Sequence, residues 1–266
     1  MVESASGHLS SGRVTHLFSQ WPILAPPIRE ASHIVLFLDF DGTLVPIAPR
    51  PGQVRLRAAT RGLLRRLAPH PRLSLIVISG RRRAELQRFI GIRGIRYLGL
   101  YGWEHDGKVQ LPIQATTALR CAHNTLRNLL SASPGVWIED KRHSLSIHLP
   151  DTAQALRRNL RRTLRVLLRP FLDHLHIFEN CRDFEIVPRS NQGKGRAVRD
   201  LLAQPTFRRA LVIYFGDDLS DEPAFAAIPH GVSVHVGSPR ATSARYFLRN
   251  SAEVTAALKR LEAALS

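Results

Sequence analysis

The 266-residue sequence predicts an α/β fold, a doubly wound parallel sheet whose chain is interrupted by an inserted α+β domain. Early in the chain, apolar runs of strand length alternate with amphipathic helical stretches. The pattern then changes to strands that alternate apolar and polar residues, and later the first pattern returns. We therefore expect a core domain at 31–103 and 190–266, and a cap domain at 104–189. Residues 1–30, rich in Ser and Pro, are expected to form a flexible extension.

The first part of the core predicts the order strand, helix, strand, helix, strand. The run "HIVLFLDF" at 33–40 is typical of a strand buried on both faces. Leucines recur at a helical spacing over 54–71, where two prolines end the helix. A buried strand at 72–80, a helix at 81–91 and a strand at 95–102 follow. This order predicts parallel strands joined by right-handed crossovers.

The inserted segment predicts a small sheet of its own with two helices. One helix spans about 114–131, and the other, over 151–170, keeps its leucines on one face with Asp151 as N-cap. The stretch "HSLSIHLP" alternates apolar and polar residues, as a strand with one solvent-facing side does. The predicted strands span 108–112, 135–141, 143–150, 174–180 and 183–188.

From residue 193 the core pattern returns. A helix is predicted over 193–204, a strand over 209–218, a helix over 220–228 and a strand over 231–237. Helices are expected from there to the end of the chain. These segments complete the parallel sheet of the core.

The net charge of +17 raises the question of a nucleic-acid partner. Only four of the 38 basic residues are lysines, and the arginines are spread along the chain instead of forming one patch. Charge of this kind supports only non-specific association. We therefore expect no specific nucleic-acid partner, and a basic surface that steers an anionic substrate.

The remaining composition predicts a cytoplasmic protein that binds no membrane; it leaves the oligomeric state open, and a monomer is the default expectation. No apolar stretch is long enough to cross a bilayer, and the N-terminus lacks the basic start and apolar run of a secretion signal. Cys121 and Cys181 are far apart and have no metal-ligand spacing, which favours a reducing compartment.

Two carboxylates follow the first predicted strand. Asp39 and Asp41 end the apolar run in "LFLDFDGTLVPI", and in open parallel sheets ligands bind at the carboxyl ends of strands. Residues two apart on an extended chain point the same way, so both carboxylates face one site. Buried charge is costly unless a partner compensates it, and a bound cation would do so. The alternative is that the two residues only cap a helix or begin a turn.

A second acidic cluster also ends a predicted buried strand. The string "FGDDLSDE" contains Asp217, Asp218 and Asp221. Two strands of one sheet that both end in aspartates bring like charges together, and a hard cation such as Mg²⁺ makes this tolerable. The two clusters therefore predict a magnesium site.

Two further segments suit a phosphate. A third strand ends in "ISGR", which places the Ser79 hydroxyl and the amides of Gly80 and Arg81 where a phosphate binds. Lys194 stands between two glycines at a predicted helix start, as a point charge for a phosphoryl oxygen. With the acidic clusters, these segments predict Mg²⁺-dependent phosphoryl transfer.

These strings resemble, in order, the four motifs of the haloacid dehalogenase (HAD) superfamily: "DFDGTL", "SGR", the Lys194 segment and "GDDLSDE". Longer strings, "LDFDGTLVPI", "GDDLSDEPAF" and "EDKRHSLSIH", are similar to those of the trehalose-6-phosphate phosphatase family. The resemblance covers roughly 34–262. It implies a HAD-like Rossmannoid core with an α+β cap, and hydrolysis of a small sugar phosphate, trehalose 6-phosphate.

The resemblance also implies roles for single residues. Asp39 would be the nucleophile that forms an aspartyl-phosphate, and Asp41 the general acid and then the general base. Ser79, Gly80 and Lys194 would hold the phosphoryl oxygens, and Lys194 would also keep Asp39 ionised. The implied Mg²⁺ ligands are Asp39, the carbonyl of Asp41, Asp217 and Asp218, where Asp218 or Asp221 is either a further ligand or an outer partner.

Substrate specificity is expected in the cap. A family Glu-x-Lys pair and a following His match Glu139, Lys141 and His148, and Glu185 matches a family glutamate near the cap hinge. With Arg81 these are the expected substrate contacts. A disaccharide needs both donors and acceptors, since an unpaired buried hydroxyl costs about 1–3 kcal/mol. The alternative is a solvated strand edge with an ion pair.

Two positions depart from the family pattern and leave the sugar open. Tyr101 stands where a His is frequent, and Val187 stands where an Arg is frequent, although Arg189 lies close in sequence. Trp103 either touches substrate or packs at the junction of core and cap.

The alternative substrates are phosphates of the mannosylglycerate, sucrose or glucosylglycerol type. A catalytically silent binding protein would be expected to have lost one of the catalytic residues named above.

Overall fold

The structure of this chain is a computed structural model. It describes residues 14–48, 51–105, 109, 111–130, 135–149, 154–181 and 183–266. The chain divides into two compact units, Met1–Gly102 with Gly193–Ser266 and Trp103–Gln192. Among the described helices, none combines the length and the apolar character that a membrane span requires.

Strands and helices alternate along most of the described chain. The strands are β1 (Thr15–His16), β2 (Ile34–Leu38), β3 (Leu73–Ile78), β4 (Arg96–Leu98), β5 (Trp137–Asp140), β6 (Leu145–His148), β7 (Leu175–Glu179), β8 (Asp183–Pro188), β9 (Leu211–Gly216), β10 (Val232–Val236) and β11 (Tyr246–Leu248). The α-helices are α1 (Trp21–Glu30), α2 (Ala58–Leu67), α3 (Arg83–Ile90), α4 (Ile113–Leu130), α5 (Gln154–Leu167), α6 (Gly193–Leu202), α7 (Glu222–Ala227) and α8 (Ser251–Leu265).

The larger unit is built on a parallel sheet with the strand order β1-β11-β10-β9-β2-β3-β4. β2 lies near its centre, where Leu36 pairs in register with Leu75 of β3 and Ile213 of β9. All residues of β2 are buried, as the continuous apolar run predicts. Because the strands are parallel, the carboxyl ends of β2, β3 and β9 meet at one edge of the sheet.

Helices cover both faces of this sheet, because neighbouring residues of a strand point to opposite sides. Leu36 packs in an apolar cluster with Leu64 of α2 and residues of α1 and α8. Phe37 packs on the other side with Val198 of α6 and Phe225 of α7. Each large apolar side chain buried in this way contributes about 1.5–3 kcal/mol. The predicted doubly wound α/β fold is confirmed.

The expectation of a flexible extension at 1–30 is wrong for residues 14–30. β1 pairs with β11 in parallel, and α1 buries its apolar side in the main core. Leu17 and Ile28 are each only 1% exposed. The prolines within α1 hid its helical period, while burial of one face supplies the stability that propensity lacks. Residues 1–13 lie outside the described residues.

Three further predictions of single elements are not confirmed or cannot be compared with the described residues. β11 is a strand where only helices were expected; it is three residues long, and pairing with β10 and β1 places it. The strand predicted over 108–112 is not found in the described part of that segment, since residues 109, 111 and 112 belong to no helix or strand. The proposed N-cap Asp151 lies outside the described residues.

The smaller unit holds an antiparallel sheet with the order β5-β6-β8-β7. Ile147 and Ile186 point to one side, where they pack with Leu126 of α4 and Leu164 of α5. Alternation places the intervening residues on the opposite side. We call that side the polar face; its residues on three neighbouring strands are Trp137, Glu139, Ser146, His148, Asp183 and Glu185.

Candidate active site

The turn after β2 positions the first two carboxylates. The Asp39 backbone N–H donates to the carbonyl of Phe215 on β9 at 2.9 Å, so the residue continues the ladder as it enters the site. Gly42 follows with φ +80°, and its N–H donates to the Val45 carbonyl at 2.8 Å. A Cβ at position 42 would lie 1.9 Å from Oδ2 of Asp217. The glycine therefore lets the β2 turn approach the acidic tip of β9.

Three carboxylates converge at this edge of the sheet. Asp39, Asp217 and Asp221 each offer one oxygen, and these oxygens lie within 4.8 Å of one another. Burial raises the pKa of Asp217 well above its ordinary value, and the negative charges of Asp39 and Asp221 raise it further. An all-oxygen cluster of like charges is a donor set suited to a hard divalent cation.

Lys194 sits in the first turn of α6 and reaches the same carboxylates. Its buried Nζ donates to Oδ1 of Asp39 at 2.7 Å and to Oδ1 of Asp221 at 2.8 Å. Burial alone would lower the pKa of Lys194, but the charges of Asp221 and Asp39 outweigh it and raise the pKa well above its ordinary value. The ammonium therefore stays charged across the physiological pH range.

The single ammonium does not balance the cluster. Burial raises the pKa of Asp39 to about 7, although Lys194 lowers it and Asp221 adds to the rise. The expectation that Lys194 keeps Asp39 ionised is therefore incomplete, because burial outweighs the lysine. A further positive charge beside the cluster would hold Asp39 fully ionised at neutral pH. The donor set and its charge thus fit a Mg²⁺ ion.

Asp221 rather than Asp218 completes this cluster. The carboxylate of Asp221 accepts from the Tyr214 hydroxyl at 2.7 Å and from the backbone N–H groups of Asp217 and Asp218 at 3.1 and 3.0 Å. The carboxylate of Asp218 instead accepts from the Leu219 N–H at 2.6 Å and begins a 3₁₀ turn. Sequence reasoning missed Tyr214, because a strand residue among apolar neighbours gives no functional signal.

The segment after β3 is held in place by its own backbone. Ser79 is buried; its N–H donates to the Leu98 carbonyl at 3.0 Å, and its carbonyl accepts from the Tyr101 N–H at 2.8 Å. A Cβ on Gly80 would lie 2.7 Å from Cζ of Tyr101. Leu100 and Tyr101 have positive φ values of 48° and 62°, and such strained backbone is frequent at functional sites. The predicted phosphate segment is thus rigidly supported.

Arg81 is engaged with the second carboxylate of the β2 turn. Its Nε and a terminal nitrogen donate to the two oxygens of Asp41 at 2.6 and 2.7 Å, a bidentate pair. The guanidinium carbon also lies 5.6 Å from the ring centre of Phe40 and 5.1 Å from that of Phe89. Arg81 therefore fixes the orientation of Asp41.

A second polar cluster lies in the smaller unit. The Lys141 ammonium contacts both oxygens of Glu185, at 3.1 and 3.4 Å, and the hydroxyls of Ser144 and Ser146 donate to the same carboxylate. Burial alone would lower the pKa of Lys141, but the charges of Glu185 and Glu139 outweigh it and raise the pKa. This buried, hydrogen-bonded pair differs from a solvated strand edge.

The other two predicted cap residues, Glu139 and His148, lie on the polar face. Nε2 of His148 is 2.9 Å from Oε2 of Glu139, and the Trp137 ring stacks on His148. The structure thus groups all four predicted cap residues in one unit. Among the departures from the family pattern, Val187 is fully buried and the Arg189 guanidinium donates to the Leu172 carbonyl at 2.7 Å.

Asp183 on the polar face gives a testable pH dependence. Burial raises its pKa from 3.8 to about 6, Glu185 adds to the rise, and Lys141 opposes it. Above pH 6 the native state therefore holds a costly charge, and between about pH 4 and 6 it binds a proton that the unfolded chain lacks. We expect Asp183→Asn to raise the free energy of unfolding at pH 7.5 by about 1–3 kcal/mol, a gain that disappears toward pH 4.

Urea unfolding of wild type and Asp183→Asn between pH 4 and 8 measures this difference. The exposed Asp173→Asn is the matched control and should show no such trend. A gain from Asp183→Asn that is constant with pH, or a loss at pH 7.5, would contradict the assignment of a penalised charge at this position.

Comparison with known proteins gives a consistent result. The family model of the trehalose-phosphatases matches residues 37–252. A curated trehalose-phosphate phosphatase of Mycobacterium ulcerans is 31% identical over 245 residues, which cover 87% of this chain and 62% of that protein. This chain therefore spans less than two thirds of the length of that curated relative.

Solved structures share the fold. The C-terminal domain of Candida albicans trehalose-6-phosphate phosphatase superposes with a TM-score of 0.80 at 20% identity, covering 96% of this chain and 99% of that one. A haloacid dehalogenase-like hydrolase from Bacteroides thetaiotaomicron has a TM-score of 0.59 at 17% identity, covering 86% and 99%. These likenesses confirm the HAD-like α/β fold.

Proposed function

Since the chain belongs to the trehalose-phosphatase family, we propose that it is a Mg²⁺-dependent phosphatase that hydrolyses trehalose 6-phosphate to trehalose and phosphate. One observation carries the proposal: the tips of β2 and β9 bring three carboxylates together against the ammonium of Lys194. A protein that only binds a ligand has no need of this costly arrangement of buried charge.

Asp39 is the proposed nucleophile. Its carboxylate attacks phosphorus in line, so that a bond from Asp39 to phosphorus forms while the bond from phosphorus to the sugar oxygen breaks. Asp41 donates a proton to the departing sugar oxygen. In the second step Asp41 takes a proton from water, the water oxygen bonds to phosphorus, and the bond to Asp39 breaks. Phosphate leaves, Asp39 is again an ionised carboxylate, and Asp41 again carries a proton, as it did before the first step.

The surrounding residues orient these two groups and the phosphoryl oxygens. Arg81 holds Asp41 by its bidentate contact, and release of one of the two hydrogen bonds frees an oxygen for proton transfer. Lys194 lies 2.7 Å from Asp39, close enough to contact a phosphoryl oxygen on that carboxylate. We propose that the Ser79 hydroxyl and the Gly80 N–H donate to the remaining oxygens. Fixed donors of this kind stabilise transition-state charge.

The residues that would hold Mg²⁺ are Asp39, the carbonyl of Asp41, Asp217 and Asp221. When bound, the ion would supply positive charge that offsets the carboxylates and spreads the charge of the transition state. Asp218 caps the turn that presents Asp221, and we propose it as an outer partner of the site.

We propose that the larger unit is the catalytic core and that the smaller unit is a cap that recognises the sugar. Glu139, Lys141, His148 and Glu185 would contact its hydroxyls with both donors and acceptors. The buried pair of Lys141 and Glu185 is already ordered, so little conformational entropy is lost when a sugar binds. A cytoplasmic location, a monomeric state and the lack of a nucleic-acid partner stay predictions.

Phosphate release from a panel of sugar phosphates, with Mg²⁺ and with EDTA, tests the proposal. We expect kcat/KM for trehalose 6-phosphate to exceed that for sucrose, mannosylglycerate and glucosylglycerol phosphates by a factor of about 10 or more, because unmatched hydroxyls leave buried polar groups unpaired. EDTA should abolish release. Equal, feeble turnover of all substrates would contradict the sugar assignment, and release in EDTA would contradict the metal assignment.

A further inference from the structure

We propose that Trp137 determines substrate specificity, because it offers a stacking surface for one sugar ring of the substrate. The inference rests on the proposed function and deepens it, since Glu139, Lys141, His148 and Glu185, the residues proposed to contact the sugar hydroxyls, are all polar. A sugar ring carries hydroxyls at its rim and C–H groups on its faces. Sites for such ligands combine an aromatic surface with a few well-placed polar groups.

Trp137 is held in a defined orientation. It stands opposite His148 in the register of β5 and β6, and the two rings are nearly parallel, with centroids 3.9 Å apart and an angle of 17°. His148 is fixed in turn by Glu139, at 2.9 Å from Nε2. One face of the indole is therefore covered by His148, and the side chain is already held in one rotamer. Less side-chain conformational entropy is then lost when a ligand covers the other face.

The side chain is exposed where packing does not require an aromatic residue. Apolar side chains of this sheet that face α4 and α5, such as Ile147, are buried, whereas Trp137 on the polar face is 41% exposed. Leaving so large an apolar surface in water forgoes the free energy that its burial would contribute. A ligand that covers the indole would recover this free energy.

The position of Trp137 also fits the groups that would hold the sugar hydroxyls. Glu139 lies two residues along the same strand and points to the same side. Glu185 lies on β8, two strands from β5, which places it about 10 Å across the sheet. A ligand of two sugar rings therefore reaches from the paired carboxylate to the indole, and a single ring does not.

The alternative is that the stacked pair only stabilises the edge of the sheet. Cross-strand aromatic pairs make a small contribution to the stability of a sheet. That role predicts a small loss of stability when the pair is removed and an equal effect on all substrates. A stacking role predicts an effect confined to substrates that carry a sugar.

Steady-state kinetics of Trp137→Ala and Trp137→Phe test the inference with the Mg²⁺-loaded enzyme. For Trp137→Ala we expect KM for trehalose 6-phosphate to rise about tenfold, with kcat/KM for acetyl phosphate, a small phosphate without a ring, unchanged. Trp137→Phe should keep most of the wild-type affinity. The control is Leu129→Ala, an exposed apolar residue of α4 on the other side of the sheet, which should match wild type with both substrates.

The outcomes separate the inference from the proposed function. If wild type hydrolyses trehalose 6-phosphate and Trp137→Ala has the same KM, the inference is overturned and the proposed function stands. An equal loss with acetyl phosphate also overturns it, since that substrate has no ring to stack and the result would indicate a structural role. If wild type does not hydrolyse trehalose 6-phosphate, that result contradicts both the proposed function and the inference about Trp137.

Discussion

Asp39→Asn is expected to lower kcat for trehalose 6-phosphate by at least about 10³-fold while the protein stays folded. The amide has nearly the shape of the carboxylate but cannot form the aspartyl-phosphate. Burial raises the pKa of Asp39 to about 7, so the charged form is costly in the absence of a cation. Removing this charge relieves repulsion with Asp217 and Asp221. Stability without Mg²⁺ should therefore hold or increase even as activity disappears.

Phosphate release with Mg²⁺ and urea unfolding in EDTA measure the two effects on one preparation. Asp200→Asn is the matched control, because Asp200 is exposed and pairs only with Arg196 on the surface of α6 in the described structure. It should change neither quantity by much. Retained turnover in Asp39→Asn would remove Asp39 from the role of nucleophile.

Lys194→Met is expected to abolish activity and to destabilise the protein by about 3–5 kcal/mol in the absence of Mg²⁺. The substitution keeps the length of the side chain but removes the ammonium that contacts Asp39 and Asp221. The buried carboxylates then repel one another without compensation. Added Mg²⁺ should recover part of the lost stability, because a divalent cation supplies the missing charge.

Chemical unfolding in EDTA and in excess Mg²⁺ gives both numbers. Lys259→Met tests the general effect of losing a lysine, since Lys259 is exposed on α8; its stability should stay within about 0.5 kcal/mol of wild type. Unfolding of Lys194→Met at the same urea concentration as wild type would mean that the lysine does not balance the acidic cluster.

The core strands and their polar tips were predictable because one physical signal marks both. A strand buried on two faces is a continuous apolar run, and the run must stop where the chain reaches the ligand-binding edge. β2 and β9 stop at Asp39 and Asp217, so each strand and its proposed functional residue were found together. The alternation of strands and helices then predicted parallel strands joined by right-handed crossovers.

What was missed depends on contacts between distant segments. β1 and β11 have two and three residues, too few for a period, and only their pairing makes them strands. The choice between Asp218 and Asp221 depends on the 3₁₀ turn at Leu219–Asp221. That turn brings the Asp221 carboxylate back toward the end of β9. The pair of Arg81 and Asp41 joins two strand tips 40 positions apart in sequence.

The polar face illustrates a signal that was present but not used. Alternation along β5 puts Trp137 on the same side as Glu139, and the predicted strands β5 and β6 were both available. The sequence did not give the register between these two strands. A shift of β5 by one residue would have moved Trp137 to the other side of the sheet. The structure supplies that register and thereby the stack on His148.

Crystals grown with Mn²⁺ in place of Mg²⁺, measured at a wavelength where manganese scatters anomalously, would test the central idea most directly. We predict one strong anomalous peak at the carboxyl edge of β2 and β9, at about 2.0–2.2 Å from oxygens of Asp39 and Asp217. No peak there at saturating Mn²⁺, or a peak bound to other residues alone, would contradict a phosphatase built on a shared cation.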